Sequence, residues 1–375
     1  MWRVPLSKIE IEKDEIDSVI NTLKSGWLSM GEQVKTFEDE WKKYFDINYA
    51  FAVSNGTAAL HLSCLAAGFG PGDEVIVPSL TFVATSNAVI YCGAKPVFVD
   101  VNTEDDLTLS TLEIEKKITS NTKGIILMHY GGYPCDMDSI ITLARKYNLV
   151  IIEDGAHCPG AEINNTKLGT IGDFGCFSFF PNKNITTGEG GMIITKNVRY
   201  ANKIKSLRSH YMTTLTWDRH QGHAKSYDVT GLGYNYRLDE LRASIGIKQL
   251  QKLEFNNQKR GKIVNRYINL LENEKDFTIP FVQHRGKSAY HLFVINTNNL
   301  FNKNKIEDHL KKMRIQTSFH YPPVHLFSYY KKHFPEVTLP ITERLSNKLI
   351  TLPLFPSMTY QEQDYVVKSI KDAMQ

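Results

Sequence analysis

The chain has 375 residues, of which 42% are hydrophobic and 22% are charged, and its formal net charge is +4. This composition is ordinary for a water-soluble globular protein, and the length is too great for one compact core, so two domains are predicted. The basic residues are dispersed, which argues against a nucleic-acid partner but would suit a small molecule that carries phosphate.

Targeting and membrane signals are absent from the sequence. No apolar run approaches the roughly 18 residues that a membrane helix needs, and the N-terminus lacks an apolar core before a small-residue cleavage site. We therefore expect a cytoplasmic protein without a membrane partner. The five cysteines contain no pair with CxxC spacing, so the sequence predicts neither a disulfide framework nor a metal site.

Between about residues 50 and 200, short apolar runs alternate with segments of helical character. This alternation predicts a mostly parallel sheet that helices cover on both faces. Ligands bind such sheets at the carboxyl ends of the strands, which is where polar residues gather here. The predicted strands are Phe51–Ser54, Glu74–Pro78, Pro96–Asp100, Gly124–His129 and Leu149–Asp154, and the predicted helices are Thr57–Ala67, Thr81–Tyr91 and Met137–Tyr147.

A long helical pattern begins near Arg237 and leads into the C-terminal third of the chain. The fold class that these elements predict is α/β, with a large domain and an N-terminal arm over residues 1–250. A smaller α/β domain is predicted over residues 251–375. Its elements are a strand at Tyr290–Asn296 and helices at Lys303–Met313 and Gln361–Met374.

Lys183 lies in a loop between two strand-like runs, after a phenylalanine-rich segment and before a glycine-rich one. A lysine in this position is a candidate Schiff-base nucleophile. Desolvation lowers its pKa and leaves a neutral amine that can attack an aldehyde. The ordinary alternative is a solvated surface lysine, which the apolar flanking residues disfavour.

Two further polar groups follow predicted strands. Gly56 and Thr57 open a helix whose free N–H groups could bind an anion, although a simple helix cap would look the same. Asp154 ends a buried strand and needs a cationic partner, which a protonated pyridine nitrogen would supply. His157 could donate to the phenolic oxygen of the same ring. The alternative for this pair is a capping aspartate and a core histidine.

A hydroxyl and an aromatic ring complete the candidate cofactor site. Ser178 lies on the strand that leads into the lysine loop and could reach the phosphate that Thr57 binds. Thr186 and Thr187 are either rival phosphate ligands or turn residues. Phe82 follows a strand end and could stack on a cofactor ring, although most aromatic residues at such a spacing belong to the core.

These motifs together resemble the DegT/StrS type of fold-type I pyridoxal-phosphate enzymes, the nucleotide-sugar aminotransferases. The resemblance runs over nearly the whole chain and implies the fold-type I aminotransferase architecture, with pyridoxal 5'-phosphate as the cofactor. The segments that carry it are Ser25–Gly31, Ser54–Leu62, Pro78–Thr85, Glu153–His157, Gly172–Phe179, Lys183–Gly191, Gly233–Leu238 and His320–His325.

The resemblance also implies a role for each cofactor-site residue. Lys183 would bond to the cofactor and later carry a proton between Cα of the substrate and C4′ of the cofactor. Asp154 would pair with the pyridinium nitrogen, and His157 would contact the phenolic oxygen. Gly56, Thr57 and Ser178 would hold the phosphate of the cofactor, and Phe82 would stack on the face of its ring. Asn235 would reach the phosphate of the neighbouring subunit's cofactor, which implies a homodimer with shared active sites.

The activity that the resemblance implies is transamination of a nucleotide-linked keto-deoxy-sugar, with L-glutamate as amino donor, in amino-sugar biosynthesis for lipopolysaccharide O-antigen, capsule or glycosides. One alternative is a non-nucleotide ketone such as a cyclitol. A second is a pyridoxamine-phosphate-dependent sugar dehydratase, which Lys183 disfavours because such relatives carry histidine there. Residues 210–228 would form a loop that either reads the substrate or packs the dimer. The candidate substrate residues are Trp27, Ser29, Arg219, His320, Tyr321 and His325.

Overall fold

The computed structural model describes residues 1–214, 216–222 and 225–374. Its strands are β1 (Tyr49–Val53), β2 (Glu74–Pro78), β3 (Lys95–Val99), β4 (Thr122–Met128), β5 (Val150–Asp154), β6 (Glu162–Ile163), β7 (Thr166–Lys167), β8 (Phe174–Ser178), β9 (Gly191–Thr195), β10 (Phe277–Thr278), β11 (Phe293–Thr297) and β12 (Leu349–Leu352).

The helices of the described residues cover both domains. They are α1 (Lys13–Lys24), α2 (Glu32–Phe45), α3 (Gly56–Ala67), α4 (Ala84–Tyr91), α5 (Thr111–Lys117), α6 (Met137–Tyr147), α7 (Val198–Leu207), α8 (Thr216–His220), α9 (Glu240–Leu271), α10 (Leu300–Lys312), α11 (Ser328–His333), α12 (Pro340–Ser346) and α13 (Tyr360–Met374), with 3-10 turns at Tyr130–Gly132 and Val324–Leu326. Within the described ranges, no helix is long and apolar enough to cross a membrane.

A seven-stranded sheet in the order β1-β9-β8-β5-β4-β2-β3 forms the centre of the large domain. The neighbours from β8 to β3 pair in parallel, whereas β9 runs antiparallel to both β1 and β8. The central strands are apolar along almost their whole length because a hydrophobic core lies on each face of the sheet. The mostly parallel α/β sheet predicted from the sequence is therefore confirmed.

A three-stranded antiparallel sheet of β10, β11 and β12 forms the smaller domain together with α10 and α13. The first half of helix α9 packs into the large-domain core, through Leu250 and Leu253 among others, and its second half packs into the small-domain core, through residues such as Ile263 and Val264. Val4 is also buried in the small-domain core. The division of the chain between residues 250 and 251 stays a prediction, since α9 runs through it.

Helix ends follow local capping chemistry. The side chain of Asn55 accepts a hydrogen bond from the Ala58 N–H at the start of α3, and Gly68 ends that helix in the left-handed conformation. Helix α6 has the bounds predicted for it, whereas α4 begins at Ala84, three residues later than predicted. The hydroxyl of Thr81 lies 2.9 Å from Thr85 Oγ1, and Phe82 and Val83, which lie between Thr81 and the start of the helix, are not helical.

Candidate active site

A cavity of about 590 Å³ lies at the carboxyl ends of β5 and β8, beside the first turn of α3. Parallel strands end at the same edge of a sheet, so residues that are distant in sequence meet here. Most of the residues predicted for the cofactor line this cavity, as do two of the candidate substrate residues. They are Gly56, Thr57, Phe82, Asp154, His157, Ser178, Lys183, His320 and Tyr321.

Lys183 is held by a tight loop between β8 and β9. Its backbone N–H donates to the carbonyl of Phe180 (2.9 Å). The neighbouring Phe179 is completely buried and packs edge-on against Trp41, which anchors the start of the loop. Burial lowers the pKa of the Lys183 amine to about 8, and the carboxylate of Asp154 opposes part of that shift. The amine is therefore far more often neutral near pH 7 than an ordinary lysine.

This lowered pKa predicts how the amine of Lys183 captures an aldehyde at different pH values. Only the neutral amine attacks an aldehyde, and its fraction rises as the pH increases through about 8, the pKa of Lys183. The capture rate should rise up to that pH and level off above it. Stopped-flow absorbance between about pH 6 and about pH 10 measures the profile, and a midpoint near the pKa of an unperturbed lysine would contradict the burial of this amine.

Asp154 ends β5 as a buried carboxylate. Its Oδ2 accepts a hydrogen bond from Thr85 Oγ1 (2.8 Å), and its Oδ1 accepts one from the Ala156 N–H (3.2 Å). Burial raises the pKa of this carboxyl group, while these hydrogen bonds and the charge of Lys183 counteract the rise. A cationic group in the cavity would stabilise the ionised form further.

His157 is oriented by hydrogen bonds at both ring nitrogens. The Gly131 N–H donates to Nδ1 (3.2 Å), so the ring proton lies on Nε2. Nε2 lies 2.8 Å from the phenolic oxygen of Tyr321 and donates to it. Burial lowers the pKa of His157 well below its ordinary value, which keeps the imidazole neutral. The Nε2–H group of His157, which was predicted to contact the phenolic oxygen of the cofactor, therefore donates to Tyr321 in this structure.

The first turn of α3 and the end of β8 form a candidate phosphate cradle. A Cβ atom on Gly56 would lie only 2.8 Å from Cβ of Ser178, so the close approach of the two segments requires glycine. Thr57 is the next residue and, like Ser178, lines the cavity. Backbone N–H groups at a helix N-terminus with hydroxyls beside them suit a phosphate.

Thr186 and Thr187 are turn residues within the lysine loop. Thr186 Oγ1 donates to the carbonyl of Phe179 (3.0 Å), and Thr187 Oγ1 donates to the carbonyl of Glu189 (2.8 Å). Both hydroxyls are used to hold the loop in shape. Of the two interpretations of these threonines, the structure supports the turn.

Five predicted residues lie outside the Lys183 cavity, and the first three of them are Asn235, Trp27 and Ser29. Asn235 is exposed and forms an isolated β-bridge with Ser209. Trp27 lines a second cavity of about 690 Å³, where its ring centroid lies 4.8 Å from that of Trp217. Ser29 is exposed and lines neither the Lys183 cavity nor the second cavity.

The predicted substrate loop at residues 210–228 is described only in part, since positions 215, 223 and 224 lie outside the described residues. Within it, the guanidinium of Arg219 lies 4.3 Å from the ring centroid of Tyr227. Arg219 does not line the Lys183 cavity. Its predicted contact with substrate therefore stays a prediction.

His325 does not reach the Lys183 cavity, in contrast to the prediction that it contacts substrate. It is 2% exposed, its Nδ1 lies 2.6 Å from Ser79 Oγ, and its Nε2 lies 3.2 Å from a carboxylate oxygen of Glu343. His325 lies within the 3-10 turn at Val324–Leu326, whereas His320 and Tyr321, which do line the cavity, precede that turn. Both ring nitrogens of His325 are committed to contacts that join the end of β2 to α12.

Several residues of the site were missed in the sequence. Thr85 and Glu189 lie inside two of the motif segments, so their position was a signal, but their contacts were not predicted. Asn182, Arg242 and His291 gave no signal of this kind. Asn182, Glu189 and Arg242 line the cavity, Thr85 bonds to Asp154, and His291 packs beside His157 with 4.3 Å between ring centroids.

Comparison with known proteins identifies the family. Residues 9–371 match the DegT/DnrJ/EryC1/StrS aminotransferase family. An uncharacterised protein of Methanocaldococcus jannaschii is 41% identical, with 96% of this chain and 95% of the relative covered. The spore coat polysaccharide biosynthesis protein SpsC of Bacillus subtilis is 37% identical, with 98% and 96% covered. A putative sugar aminotransferase of Streptococcus pneumoniae, solved in its PMP form, has a TM-score of 0.92 at 29% identity, with 99% of each chain covered.

The residues of the cavity fit pyridoxal phosphate. The Gly56–Ser178 approach leaves a cradle for an anion, Asp154 offers a buried carboxylate to a cation, and Lys183 offers an amine with a lowered pKa. These are the three groups that a phosphate, a pyridinium nitrogen and an aldehyde require. With its fold, its cavity and its relatives in agreement, the chain belongs to the DegT/DnrJ/EryC1/StrS aminotransferase family and is a pyridoxal-phosphate-dependent aminotransferase.

Proposed function

We propose that the enzyme transfers an amino group from L-glutamate to a keto-deoxy-sugar that is linked to a nucleotide. The observation that carries this proposal is the cavity in which Lys183 and Asp154 face one another beside a phosphate cradle. The sugar is supported by the descriptions of two similar proteins, the spore coat polysaccharide protein and the putative sugar aminotransferase. The product would serve amino-sugar biosynthesis for a surface polysaccharide, such as lipopolysaccharide or capsule, or for a glycoside.

The proposed chemistry assigns one task to each residue. Pyridoxal phosphate, when bound, supplies an electron sink that allows an amino group to leave one carbon and join another. Lys183 Nζ moves a proton between Cα of the substrate and C4′ of the cofactor, a task that suits an amine with a pKa of about 8. Asp154 would hold the proton on the ring nitrogen. His157 and Tyr321 would orient the phenolic oxygen, and Phe82 would cover one face of the ring.

The sugar would lie in the same cavity as the cofactor. Glu189, Arg242, His320 and Tyr321 also line this cavity, and their mixture of charged and hydrogen-bonding groups suits hydroxyls and a carbonyl. His320 is neutral because burial lowers its pKa to about 4, so it acts as a hydrogen-bonding group without charge. Trp27, Ser29 and Arg219 are proposed to contact the nucleotide part, where an arginine would bind the diphosphate.

A cytoplasmic homodimer with shared active sites completes the proposal. Asn235 is exposed and lies outside the cavity of its own chain. An amide in that position is free to reach the cofactor phosphate of a neighbouring subunit, as the family resemblance implies. The mild basic excess of the chain, +4, also suits an anionic substrate.

A donor and acceptor assay tests this function. Pyridoxal-phosphate-loaded enzyme should convert to the pyridoxamine form when L-glutamate is added, with release of 2-oxoglutarate. The converted enzyme should then return to its first spectrum with a nucleotide-linked keto-sugar and not with the free keto-sugar or a cyclitol ketone. Equal rates with the cyclitol ketone would favour the non-nucleotide alternative. Loss of water from the sugar without amination would favour the dehydratase.

A further inference from the structure

His291 lies directly behind the lysine loop, between the two asparagines that flank Lys183. It is 4% exposed, comes from the segment just before β11, and packs its ring against His157 at 4.3 Å between centroids. It does not line the cofactor cavity. It hydrogen-bonds to Asn184 and lines a small cavity together with Asn182, so it lies close to both sequence neighbours of Lys183.

The hydrogen bonds of Asn184 fix the protonation of His291. Asn184 Nδ2 donates to Asn257 Oδ1 (2.8 Å) and to the carbonyl of Ala289 (2.7 Å), so its Oδ1 is the remaining acceptor. His291 Nδ1 lies 2.9 Å from that oxygen and must carry the proton that it donates. In a neutral ring the other nitrogen, Nε2, is then an acceptor with a free lone pair.

Among the described residues, two that each carry a buried acceptor without a partner line the same small cavity. His291 Nε2 and Asn182 Oδ1 are both buried without a hydrogen-bond partner within the described part of the chain. Both residues line a cavity of about 20 Å³, close to the size of one water molecule. Two acceptors cannot bond to each other, and leaving each one unsatisfied is costly. The small cavity is also lined by Leu6, Ser7, Leu292, His320, Thr351, Leu352 and Leu354.

We propose that this cavity is a binding site for one water molecule, which donates its two O–H groups to His291 Nε2 and Asn182 Oδ1. His291 thereby braces both neighbours of Lys183, directly at Asn184 and through the water at Asn182. His291 is a positioning residue in this arrangement, since it acts on the lysine through the loop. The inference rests on the proposed role of Lys183 as the residue that bonds to the cofactor.

The charges around the cavity decide which small molecule it takes. An anion is excluded because both groups that need a partner are acceptors. A cation such as ammonium would lie beside His291. Burial and the positive charges of Lys183 and Arg260 already lower the pKa of this histidine, so a further positive charge there is unfavourable. A neutral donor with two O–H groups matches the two acceptors and adds no charge.

A crystal structure of the cofactor-free protein at about 1.5 Å resolution tests the site itself. It should show one water within hydrogen-bond distance of both His291 Nε2 and Asn182 Oδ1. Density for a larger molecule, density for an anion, or no density at that position would each overturn the proposal. This readout does not depend on any activity of the enzyme.

Substitutions at His291 test the bracing. His291→Asn keeps a donor for Asn184 near the position of Nδ1 but leaves no acceptor at the position of Nε2, because its side chain is shorter, whereas His291→Ala removes both contacts. Capture of pyridoxal phosphate by the cofactor-free protein at about pH 8 should slow by about threefold in the first variant and about tenfold in the second. Circular dichroism and thermal melting show whether each variant is folded, and His291→Gln restores an acceptor near Nε2 if His291→Asn fails to fold.

A double substitution separates bracing through the water from two independent effects. If His291 and Asn182 act through one water, the slowing in the double variant should be smaller than the product of the two single slowings, because the shared water is lost only once. Asn182→Ala keeps a separate effect of its own, since Asn182 also lines the cofactor cavity. Additive slowing, or unchanged capture in His291→Asn, would overturn the proposal. Failure of the substrate assignment gives a different result, because a nucleotide-linked sugar would then be refused while capture of the cofactor and its dependence on His291 remain.

Discussion

Replacing the lysine by Lys183→Ala should reduce transamination by about 10⁴-fold or more. The variant loses both the group that bonds to the cofactor and the base that moves the proton, and general acid–base catalysis alone contributes about 10²–10⁴-fold. The Asp154 carboxylate and the Gly56–Ser178 cradle remain, so the variant should still bind pyridoxal phosphate without a covalent bond. Single-turnover absorbance with L-glutamate measures the loss.

A matched control for this variant is Lys196→Ala, which removes an exposed lysine just beyond β9. It should leave the rate and the spectrum unchanged. Turnover of Lys183→Ala within about tenfold of the unmodified enzyme would contradict the assignment, because no proton shuttle of ordinary strength could then be missing.

The second large effect is expected at Asp154. Asp154→Asn keeps the size of the side chain but removes the charge that would hold a proton on the cofactor's ring nitrogen. Truncating one partner of a buried charge pair costs about 2–5 kcal/mol, which corresponds to a fall in rate of about 30-fold to about 4,000-fold. The rate of the L-glutamate half-reaction measures this fall.

The cofactor-free form of the same variant provides an internal control. Burial raises the pKa of the Asp154 carboxyl group, so removing its charge relieves a cost in the absence of a cationic partner. The melting temperature of the cofactor-free protein should therefore stay the same or rise. Thr85→Val, which removes only one hydrogen bond to Oδ2, should lower the rate far less, by about fivefold. If Asp154→Asn and Thr85→Val lowered the rate of the half-reaction equally, the role of the Asp154 charge would be contradicted.

The parts of the site that could be predicted from the sequence are those that local chain geometry determines. Lys183, Asp154 and Gly56 each follow or precede a strand of the parallel sheet, and the edge where such strands end is where ligands bind. The alternation of apolar runs with helical segments predicted the sheet and its helices for the same reason. These features depend on residues that are neighbours in the chain.

Contacts between distant segments could not be predicted in this way. His291 bonds to a residue 107 positions before it, and nothing around His291 in the sequence indicates that partner. His320 and His325 belong to one motif, yet one faces the cavity and the other is buried against Ser79. Which of two such histidines meets substrate depends on how the small domain packs on the large one.

The most direct measurement concerns the bond between the protein and its cofactor. Pyridoxal-phosphate-loaded enzyme is reduced with borohydride, digested, and analysed by mass spectrometry to locate the cofactor on the chain. The geometry of the cavity predicts a single modified peptide, with the cofactor on Lys183. Modification at another lysine, or no modified peptide from an enzyme that aminates its substrate, would contradict the central role of Lys183.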